Sequence, residues 1–386
     1  MARLVNQWGQ GRVLRHSTNP PKRVVVVEPY GMGDAISLLP LVESLLSGGQ
    51  EVVVCARKVW RELLPPEIIW VEAEVPWASY EDGKKYKLSS LSGREMQRCL
   101  HSLREVSRGA LGIDPRGDIR SVLLLWLAGC GRVLSLSHYL GCDLKVPHWA
   151  AELLPYSEAD RRWQMNARFL KLMDPGNAEF AALSPGRPKL RERLLRPEDI
   201  SGDESEKSNM LDFAGPESSH GEIDSQKPVA LIPMTPWPGR AWPDANWQTL
   251  LHRLQDEGIN VRVFCGPGQE KAVQAVMGDG GNVSVCHSLV EWARALVSCR
   301  AVVTIDSGPM HLADALDVPL VALFNFGRLP LWAPSAPHSV VLHRLDDADY
   351  EPAHQTDGEI ARGRRLMARH TVDDVYQALS QFLQKR

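Results

Sequence analysis

The sequence predicts an α/β protein made of two Rossmann-like domains, each with a parallel sheet covered by helices. Residues 24–27 are four consecutive valines and residues 301–305 form a second apolar run, and both are too apolar for exposed strands. Each run leads into a polar, glycine-containing turn and then an apolar helical stretch, a layout in which the carboxyl edge of a parallel sheet builds a site. Residues 197–226, between the two halves, hold nine acidic side chains and one lysine. This composition buries little surface, so it predicts a flexible linker.

Apolar periodicity and turn residues place the elements of the first half. The run at 111–114 ends in a polar turn, as the first run does, and the stretch 161–173 places Trp163 and Leu170 on one helix face. The predicted strands are 24–28, 51–55, 111–114 and 132–137, and the predicted helices are 34–47, 58–64, 94–108, 119–129 and 161–173.

The strand–helix pattern restarts after the linker, and Gly266-Pro267-Gly268 ends its second strand. The predicted strands are 229–232, 261–265, 283–285, 301–305 and 319–324, and the predicted helices are 245–257, 269–277, 288–298, 308–316 and 372–383. The expected organisation is a basic arm at 1–22, an N-terminal domain at 23–180, an acidic linker at 181–227 and a C-terminal domain at 228–386.

Composition limits the class of protein. At 386 residues the chain is long enough for two cores, and its net charge of −3 gives no basic field, so no nucleic-acid partner is expected. The seven cysteines form no CxxC pair or zinc spacing, which predicts reduced thiols in a cytoplasmic protein. Residues 1–23 lack an apolar core and the stretch 122–136 is too short to cross a bilayer, so neither a signal peptide nor a membrane span is expected.

Two segments are rich in basic residues. Residues 1–23 include no acidic side chain but contain Arg3, Arg12, Arg15, Lys22 and Arg23. A solvated tail is the ordinary interpretation; the functional one is contact with an anionic membrane surface or a phosphorylated acceptor, where each basic residue adds about 1 kcal/mol. The second segment is the helix 94–108, in which parts of one face can carry Arg94, Arg98, Arg104 and Arg108. Such a face suits an anionic lipid-linked saccharide, or is simply solvated.

The turn after the first strand ends at Gly31-Met32-Gly33-Asp34. Gly31 and Gly33 let the backbone turn tightly beside a ligand. The dinucleotide fingerprint is absent, because no third glycine follows three positions after Gly33. Asp34 begins the next helix, so it is either a helix cap or a carboxylate of a site, and this turn alone favours the cap.

The turn at 306–311 reads Asp306-Ser307-Gly308-Pro309-Met310-His311. A strand-end carboxylate followed by Ser-Gly places N–H groups and a hydroxyl at a helix N-terminus, where the helix dipole favours an anion. His311 falls one turn into that helix and can point at the same spot as Ser307. The pattern predicts a phosphate-bearing ligand; the alternatives are a cap role for Ser307 and a structural role for His311.

Four stretches act together as a signature. They are Gly33-Asp34-Ala35-Ile36 with Leu39-Pro40; Asp114-Pro115-Arg116-Gly117-Asp118-Ile119-Arg120-Ser121; Arg240-Ala241-Trp242-Pro243 with Asn246-Trp247; and the turn at 306–311. Each is weak alone, but four in this order, spread over roughly three quarters of the chain, are fairly specific. The chain resembles glycosyltransferase family 9, the bacterial heptosyltransferases of lipopolysaccharide core assembly. It departs from the family in its long acidic linker and in Arg240, where the family usually carries lysine.

The resemblance implies a GT-B fold, in which two Rossmann-like domains face each other across a cleft. It implies an inverting transfer of a sugar, heptose from ADP-heptose being the favoured donor, onto a lipopolysaccharide core or related anionic glycan or glycolipid acceptor. The expected location is the cytoplasm, with peripheral contact at the inner face of the bacterial inner membrane as an extension. No cofactor is expected.

On the acceptor side, the resemblance implies that Asp34 is the general base that deprotonates the acceptor hydroxyl. Gly33, Arg116 and Arg120 are the expected acceptor-binding residues. With Asp34 as base, a single displacement needs no protein nucleophile.

On the donor side, Arg240 lies in the loop after the strand 229–232, and its guanidinium suits bidentate contact with phosphate. We therefore assign it a catalytic as well as a donor-binding role. Glu270 matches a family acid that holds the ribose, although it can also simply favour its helix N-terminus; His287 matches the base pocket. The expected donor-binding residues are Thr235, Arg240, Glu270, His287, Asp306, Ser307, Gly308 and His311.

No metal is predicted. Asp346-Asp347-Ala348-Asp349 contains an Asp-x-Asp pattern, a metal signal in other glycosyltransferases, but it is far in sequence from Asp306 and is interpreted as a solvated turn. Two other functions stay open: another GT-B enzyme, such as a nucleotide-sugar epimerase, and a non-catalytic nucleotide-sugar-binding scaffold. The missing glycine fingerprint disfavours a nicotinamide dehydrogenase.

Overall fold

The chain forms two compact units. The computed structural model of the protein describes residues 21–73, 75, 77, 80–81, 84–85, 93–138, 145–173, 185–195, 227–325, 329–343 and 356–383. The first unit comprises Met1–Glu81 and Lys85–Arg187, and the second comprises Asp82–Lys84 and Pro188–Arg386. Most of the basic arm, most of the acidic linker and the Asp-x-Asp pattern lie outside the described residues.

A six-stranded parallel sheet forms the centre of the first unit. Its order is β3-β2-β1-β6-β7-β8, and all neighbouring strands are parallel. Strands β2 and β3 are added on one side of β1, and β6 to β8 are added on the other side, so the strand order reverses between β1 and β6. Its strands are β1 (Arg23–Glu28), β2 (Glu51–Ala56), β3 (Ile69–Glu72), β6 (Leu111–Asp114), β7 (Arg132–Leu136) and β8 (Glu152–Leu154). A separate pair is formed by β4 (Tyr80–Glu81) and β5 (Lys84–Lys85). The sequence patterns indicated neither β3 nor β8.

The helices of the first unit follow the predicted pattern with three departures, one of which is the division of the predicted helix 161–173 at Arg168. The predicted helix 34–47 is divided at Leu38, since Pro40 has no N–H to donate and its ring clashes with the preceding turn. The predicted helix 58–64 is a 3₁₀ segment, Lys58–Leu63. The helices are α1 (Met32–Ser37), α2 (Leu39–Ser47), α3 (Gly93–Ser107), α4 (Ile119–Leu127), α5 (Arg162–Ala167) and α6 (Phe169–Met173).

The second unit repeats the same topology. Its parallel sheet has the order β11-β10-β9-β12-β13-β14, with the reversal between β9 and β12. Its strands are β9 (Val229–Ile232), β10 (Val261–Cys265), β11 (Val283–Val285), β12 (Ala301–Ile305), β13 (Leu320–Phe324) and β14 (Ser339–His343). The predicted two-domain α/β fold class is confirmed by this repeat.

One part of the predicted linker packs in the second unit. Leu190, Leu194 and Leu195 are buried around the short helix α7 (Arg191–Leu194), and the Leu190 N–H donates to the Ala315 carbonyl at 2.8 Å. Three apolar side chains therefore anchor a segment that the predicted bounds 181–227 had included in the linker. The other helices are α8 (Asp244–Asp256), α9 (Glu270–Met277), α10 (Leu289–Val297), α11 (Gly308–Ala315), α12 (Leu329–Trp332), α13 (Asp357–Met367) and α14 (Val372–Ser380).

The sheets bring particular turns together. In an open parallel sheet, ligands bind at the carboxyl ends of the two strands between which the order reverses. In the first unit these ends are Glu28 and Asp114, and in the second they are Ile232 and Ile305. All four predicted signature stretches begin at or follow one of these strand ends. We refer to the two positions as the first and second switch points.

Candidate active site

At the first switch point, the Asp34 carboxylate is held from two sides. Asp34 is the third residue of α1, and its Oδ2 accepts a 3.2 Å hydrogen bond from the N–H of Gly31, the residue that caps the helix. Its Oδ1 accepts from Arg116 Nη1 at 2.6 Å. The interpretation of Asp34 as a cap is therefore partly right, because one oxygen supports the helix start. The other oxygen takes part in an ion pair across the switch point.

Asp34 and Arg116 belong to a ring of four charged side chains. Arg116 Nη1 lies 3.8 Å from Glu28 Oε1, and Arg162 Nη2 lies 2.9 Å from Glu28 Oε2. Arg162 Nε in turn lies 3.8 Å from Asp34 Oδ1. Two carboxylates thus alternate with two guanidiniums, and each guanidinium is shared by both carboxylates. We call Glu28, Asp34, Arg116 and Arg162 the charged ring.

Burial makes the charged ring electrostatically strong. The Glu28 and Arg162 side chains are 0% and 2% exposed, against 11% for Asp34 and 14% for Arg116. Desolvation first, and then the neighbouring charge of Asp34, raise the pKa of Glu28 to about 8, while both arginines act in the opposite direction. Burial lowers the pKa of Arg162. Asp34 and Arg116 are therefore the two ring members with access to solvent.

Arg162 connects the charged ring to the backbone of the turns. Its Nη1 donates to the Pro115 carbonyl at 2.8 Å and to Asn166 Oδ1 at 2.5 Å. Asn166 Nδ2 donates to the Ser37 carbonyl at 2.9 Å, and the Ser37 hydroxyl donates to the Asp34 carbonyl at 2.6 Å. One buried side chain thereby fixes the turn that carries Arg116 and the helix that carries Asp34.

The turn after β6 is organised by a second buried carboxylate. Asp114 accepts from the Asp118 N–H at 2.7 Å, the Ser135 hydroxyl at 2.6 Å and the Arg116 N–H at 3.2 Å. Burial raises the pKa of Asp114 to about 7, although these hydrogen bonds act against the shift. Asp114 therefore shapes the loop that presents Arg116.

Tyr30 covers the other side of Arg116. The Arg116 guanidinium carbon lies 3.8 Å from the Tyr30 ring centroid, and the Tyr30 hydroxyl donates to Asp118 Oδ2 at 2.6 Å. Arg120 Nε lies 2.8 Å from Asp118 Oδ1, and the Arg120 side chain is 41% exposed. Arg116 thus stacks on the Tyr30 ring, whereas Arg120 pairs with Asp118 and contacts the Tyr30 hydroxyl, and Arg120 is the more accessible of the two.

At the second switch point, Arg240 and Asp306 form an ion pair. Arg240 Nη1 lies 2.9 Å from Asp306 Oδ2, with side-chain exposures of 13% and 5%. The Arg240 guanidinium carbon lies 5.2 Å from the Trp237 ring centroid, and the Trp237 N–H donates to Thr235 Oγ1 at 3.1 Å. The buried Asn325 amide donates to the Gly239 carbonyl at 2.6 Å and fixes the loop from behind. The loop after β9 and the end of β12 are therefore joined through Arg240.

Ser307 provides an uncommitted hydroxyl beside this pair. It is the capping residue of α11, but its side chain makes no capping hydrogen bond, and its backbone is extended at φ −157° and ψ 170°. Within the described residues, the buried Ser307 Oγ has no hydrogen-bond partner. The interpretation of Ser307 as a mere side-chain cap is therefore wrong. A buried hydroxyl at a helix N-terminus, one residue after the carboxylate that pairs with Arg240, is suited to an anionic oxygen.

Comparison with known proteins identifies the family. Residues 192–356 match the model of glycosyltransferase family 9 (heptosyltransferase). A 94-residue segment is 38% identical to lipopolysaccharide heptosyltransferase 1 of Pseudomonas aeruginosa, and it covers 24% of the chain but only 26% of that protein. The match to lipopolysaccharide heptosyltransferase 2 of Salmonella typhimurium is 31% identical over 335 residues, and it covers 84% of the chain and 88% of that protein.

The chain belongs to glycosyltransferase family 9.

A solved structure extends the match to the fold. The structure of E. coli heptosyltransferase WaaC with ADP-2-deoxy-2-fluoro heptose superposes on the chain with a TM-score of 0.61 at 16% sequence identity. The superposed region covers 93% of the chain and 99% of WaaC. This likeness and the two repeated sheets confirm the predicted GT-B fold. As a family 9 member, the chain is a glycosyltransferase.

The remaining predicted donor residues of this family 9 chain are distributed along the carboxyl edge of the second sheet. Glu270 begins α9 after β10, half-buried and close enough to Cys265 to contribute to the raised pKa of that thiol. His287 is exposed after β11, and its N–H donates to Glu291 Oε2 at 2.7 Å. His311 is half-buried, with its ring 5.5 Å from that of Trp332. In sheet order, His287 and Glu270 precede the switch-point residues Arg240 and Asp306.

Sequence patterns missed two members of the charged ring in this glycosyltransferase. Arg162 and Asn166 lie on the buried side of α5, whereas the helix pattern had placed Trp163 on the apolar face. Glu28 carried one signal, a carboxylate directly after four valines.

Across the described ranges, no three histidine, cysteine or acidic side chains are grouped to hold a metal ion, and none of the described helices is long and apolar enough to cross a membrane.

Proposed function

We propose that this glycosyltransferase moves heptose from ADP-heptose onto a lipopolysaccharide core or related glycan, with inversion at the anomeric carbon. The observation that carries the proposal is the division of chemistry between the two switch points. A partly accessible carboxylate lies at the first, and a guanidinium with an uncommitted hydroxyl at a helix N-terminus lies at the second. A transferase of this kind needs a base for the acceptor and cations or dipoles for the departing diphosphate.

Asp34 is the proposed general base. It would take the proton of the acceptor hydroxyl while that oxygen attacks the anomeric carbon; the bond to the diphosphate then breaks, and the nucleoside diphosphate leaves with the electron pair. The ion pair with Arg116 holds Asp34 in place, at 2.6 Å. Because the charged ring shares Arg116 and Arg162 between two carboxylates, neither guanidinium is committed to Asp34 alone.

Arg240, Ser307 and the N-terminus of α11 are the proposed diphosphate site. Arg240 is already oriented by Asp306, so a phosphate oxygen would meet a fixed guanidinium. The N–H of Gly308 and the Ser307 hydroxyl would supply neutral donors to the same group. These groups can neutralise the charge of the diphosphate without a metal ion. We therefore still expect that the reaction requires no metal.

The adenosine part of the donor is assigned by analogy and position. The solved structure of E. coli heptosyltransferase WaaC contains ADP-2-deoxy-2-fluoro heptose. In our proposal Glu270 holds the ribose, His287 lines the base pocket, and Thr235 and His311 complete the donor surroundings. The order of these residues along the sheet edge supports an extended ligand that runs outward from the switch point.

The acceptor is proposed to be anionic. The relatives are named lipopolysaccharide heptosyltransferases. Gly33 directly precedes Asp34 in α1, while Arg116 and the more exposed Arg120 offer positive charge to phosphate or carboxylate groups. We propose that the reaction takes place in the cytoplasm, at the inner face of the bacterial inner membrane.

A calorimetric panel of ADP, UDP, GDP and dTDP, each with and without Mg²⁺, tests the donor. Binding of ADP alone, unaffected by metal, is the expected result, and formation of a heptosylated glycan from ADP-heptose tests the reaction. Preference for another nucleotide would overturn the donor. Binding of ADP without any transfer to heptose-deficient lipopolysaccharide would instead favour a scaffold.

A further inference from the structure

Exposed apolar side chains are concentrated on one surface of the first unit. Among the described residues, five large apolar side chains are strongly exposed, and three of them are Leu123 (45%), Leu127 (53%) and Trp149 (61%). Leu123 and Leu127 are four residues apart and therefore share one face of α4. Trp126 Nε1 donates to the Ala150 carbonyl at 2.6 Å, which ties the loop carrying Trp149 to the same helix. One helix and the loop bonded to it thus carry three exposed apolar side chains, which we call the apolar surface.

Arginines border this apolar surface. At 100° per residue, Arg94, Arg98, Arg104 and Arg108 fall within about 120° of the circumference of α3 and its first following residue, and all four are exposed. The Arg104 guanidinium Nε donates to the Leu127 carbonyl at 3.0 Å, so the basic face of α3 meets the apolar face of α4. We define the α3–α4 surface as these four arginines with Leu123, Leu127 and Trp149.

The acidic residues of α3 do not cancel this charge. Glu105 is exposed on the basic face, 3.4 Å from His101, and Glu95 is half-buried. The four arginines therefore outnumber the two carboxylates. A cationic helix face beside exposed apolar side chains is complementary to anionic headgroups above a hydrocarbon layer.

The start of β1 lies beside the end of α3. Arg23 Nη1, at the start of β1, donates to the Val106 carbonyl near the end of α3, at 3.0 Å. The 22 residues before it contain four further basic side chains and no acidic one. Arg23 therefore adds one guanidinium next to α3, and the sequence that precedes it is basic.

We propose that the α3–α4 surface docks the protein on an anionic lipid bilayer. Leu123, Leu127 and Trp149 lie at the boundary between headgroups and acyl chains, and the arginines contact lipid phosphates. Tryptophan suits this boundary, because its ring is apolar and its indole N–H is polar. The inference does not depend on the donor, the acceptor or the identity of the base.

Flotation of the full chain with vesicles tests the proposal directly. We expect binding to phosphatidylcholine vesicles that contain phosphatidylglycerol, little binding to phosphatidylcholine alone, and weaker binding at high salt. Arg94→Ala with Arg98→Ala should weaken partitioning by about fivefold for each arginine removed. Leu127→Ser with Trp149→Ser should also reduce binding, and the residual binding should be more sensitive to salt.

Matched controls come from the 3₁₀ segment of the same unit. Val59 is 58% exposed, and Lys58 and Arg61 are also exposed. Val59→Ser, and Lys58→Ala with Arg61→Ala, should leave vesicle binding unchanged. Absence of wild-type binding to phosphatidylglycerol vesicles would overturn the proposal, as would surface variants that bind like the wild type.

Two further outcomes would assign the surface to something else. If only replacement of Arg3, Arg12 and Arg15 abolished binding, the arm rather than the α3–α4 surface would be the docking element. If light scattering without lipid showed a dimer that Trp149→Ser dissociates, while vesicles bound nothing, the surface would be covered by a second copy of the chain.

Discussion

The Glu28 carboxylate and the Arg162 guanidinium form an ion pair at 2.9 Å that is almost sealed from solvent, with side-chain exposures of 0% and 2%. The pair joins the end of β1 to α5, 134 residues later in the chain. Because Arg162 also binds the Pro115 carbonyl and Asn166, it stabilises the position of both turns at the first switch point. The stability of the first unit and the geometry around Asp34 are therefore linked.

Arg162→Met should lower the free energy of unfolding by about 1–3 kcal/mol for each of the two buried acceptors that it leaves without a donor, the Glu28 carboxyl and the Pro115 carbonyl. Urea denaturation measures this loss. Arg168→Met is the control: Arg168 pairs with Asp160 at 2.8 Å, but both side chains are about one-third exposed, at 33% and 29%. That loss should be on the order of 0–1 kcal/mol. Equal losses for the two variants would contradict the role assigned to burial.

Glu28→Gln should flatten the pH dependence of stability. The pKa of Glu28 is raised from 4.5 to about 8, so in this window the folded chain keeps a proton that the unfolded chain has lost. The free energy of unfolding therefore falls as pH rises through the window, by at most about 1.4 kcal/mol per pH unit from this group. Glutamine resembles protonated glutamate and does not titrate, so this contribution disappears. Denaturation at pH 5, 6, 7 and 8 measures the slope; identical slopes for wild type and variant would contradict the raised pKa.

Asp34→Asn should reduce turnover by about 10²–10⁴-fold, the contribution typical of a general base. The amide oxygen can still accept the Gly31 N–H, so the helix start is retained. Donor affinity, measured by calorimetry with ADP, should stay within a few-fold of wild type. Full activity, or a large loss of donor affinity, would remove Asp34 from the role of base.

Arg240→Ala should weaken binding of the nucleoside diphosphate by about 1–3 kcal/mol, because a charge-assisted contact to phosphate is lost. Arg253→Ala is the control from the same unit, since Arg253 is 37% exposed and pairs with Asp373 at 2.7 Å. Calorimetry on both variants, after their thermal unfolding has been checked, separates the site effect from a general loss of charge. Unchanged affinity in Arg240→Ala would exclude it from the diphosphate site.

Ser307→Ala tests the uncommitted hydroxyl. Its Oγ has no hydrogen-bond partner within the described residues, so removing it should not lower the unfolding temperature. The donor should bind about 0.5–1.5 kcal/mol more weakly, the usual value of one hydrogen bond. A variant that loses stability but keeps donor affinity would give the hydroxyl a structural role instead.

Local patterns predicted most of the secondary structure. Buried parallel strands are continuous apolar runs, so β1, β9 and β12 were evident from their composition alone. Edge strands were harder to predict: β14 is only half-buried, and β3 and β8 are short. The break at Leu38 was also missed, although Pro40 was visible in the sequence.

The sequence by itself determined the two-domain α/β class, the family, and the turns that carry Asp34, Arg116, Arg240 and Ser307. These features depend on nearby residues, whose periodicity and turn chemistry are local. Tertiary structure alone decided that Glu28 and Arg162 complete the charged ring and that Asp306 holds Arg240. Such pairs join residues far apart in the chain, and strand order and burial, rather than composition, bring their charges together and set their pKa values. Burial likewise decided that Leu123, Leu127 and Trp149 remain outside the core.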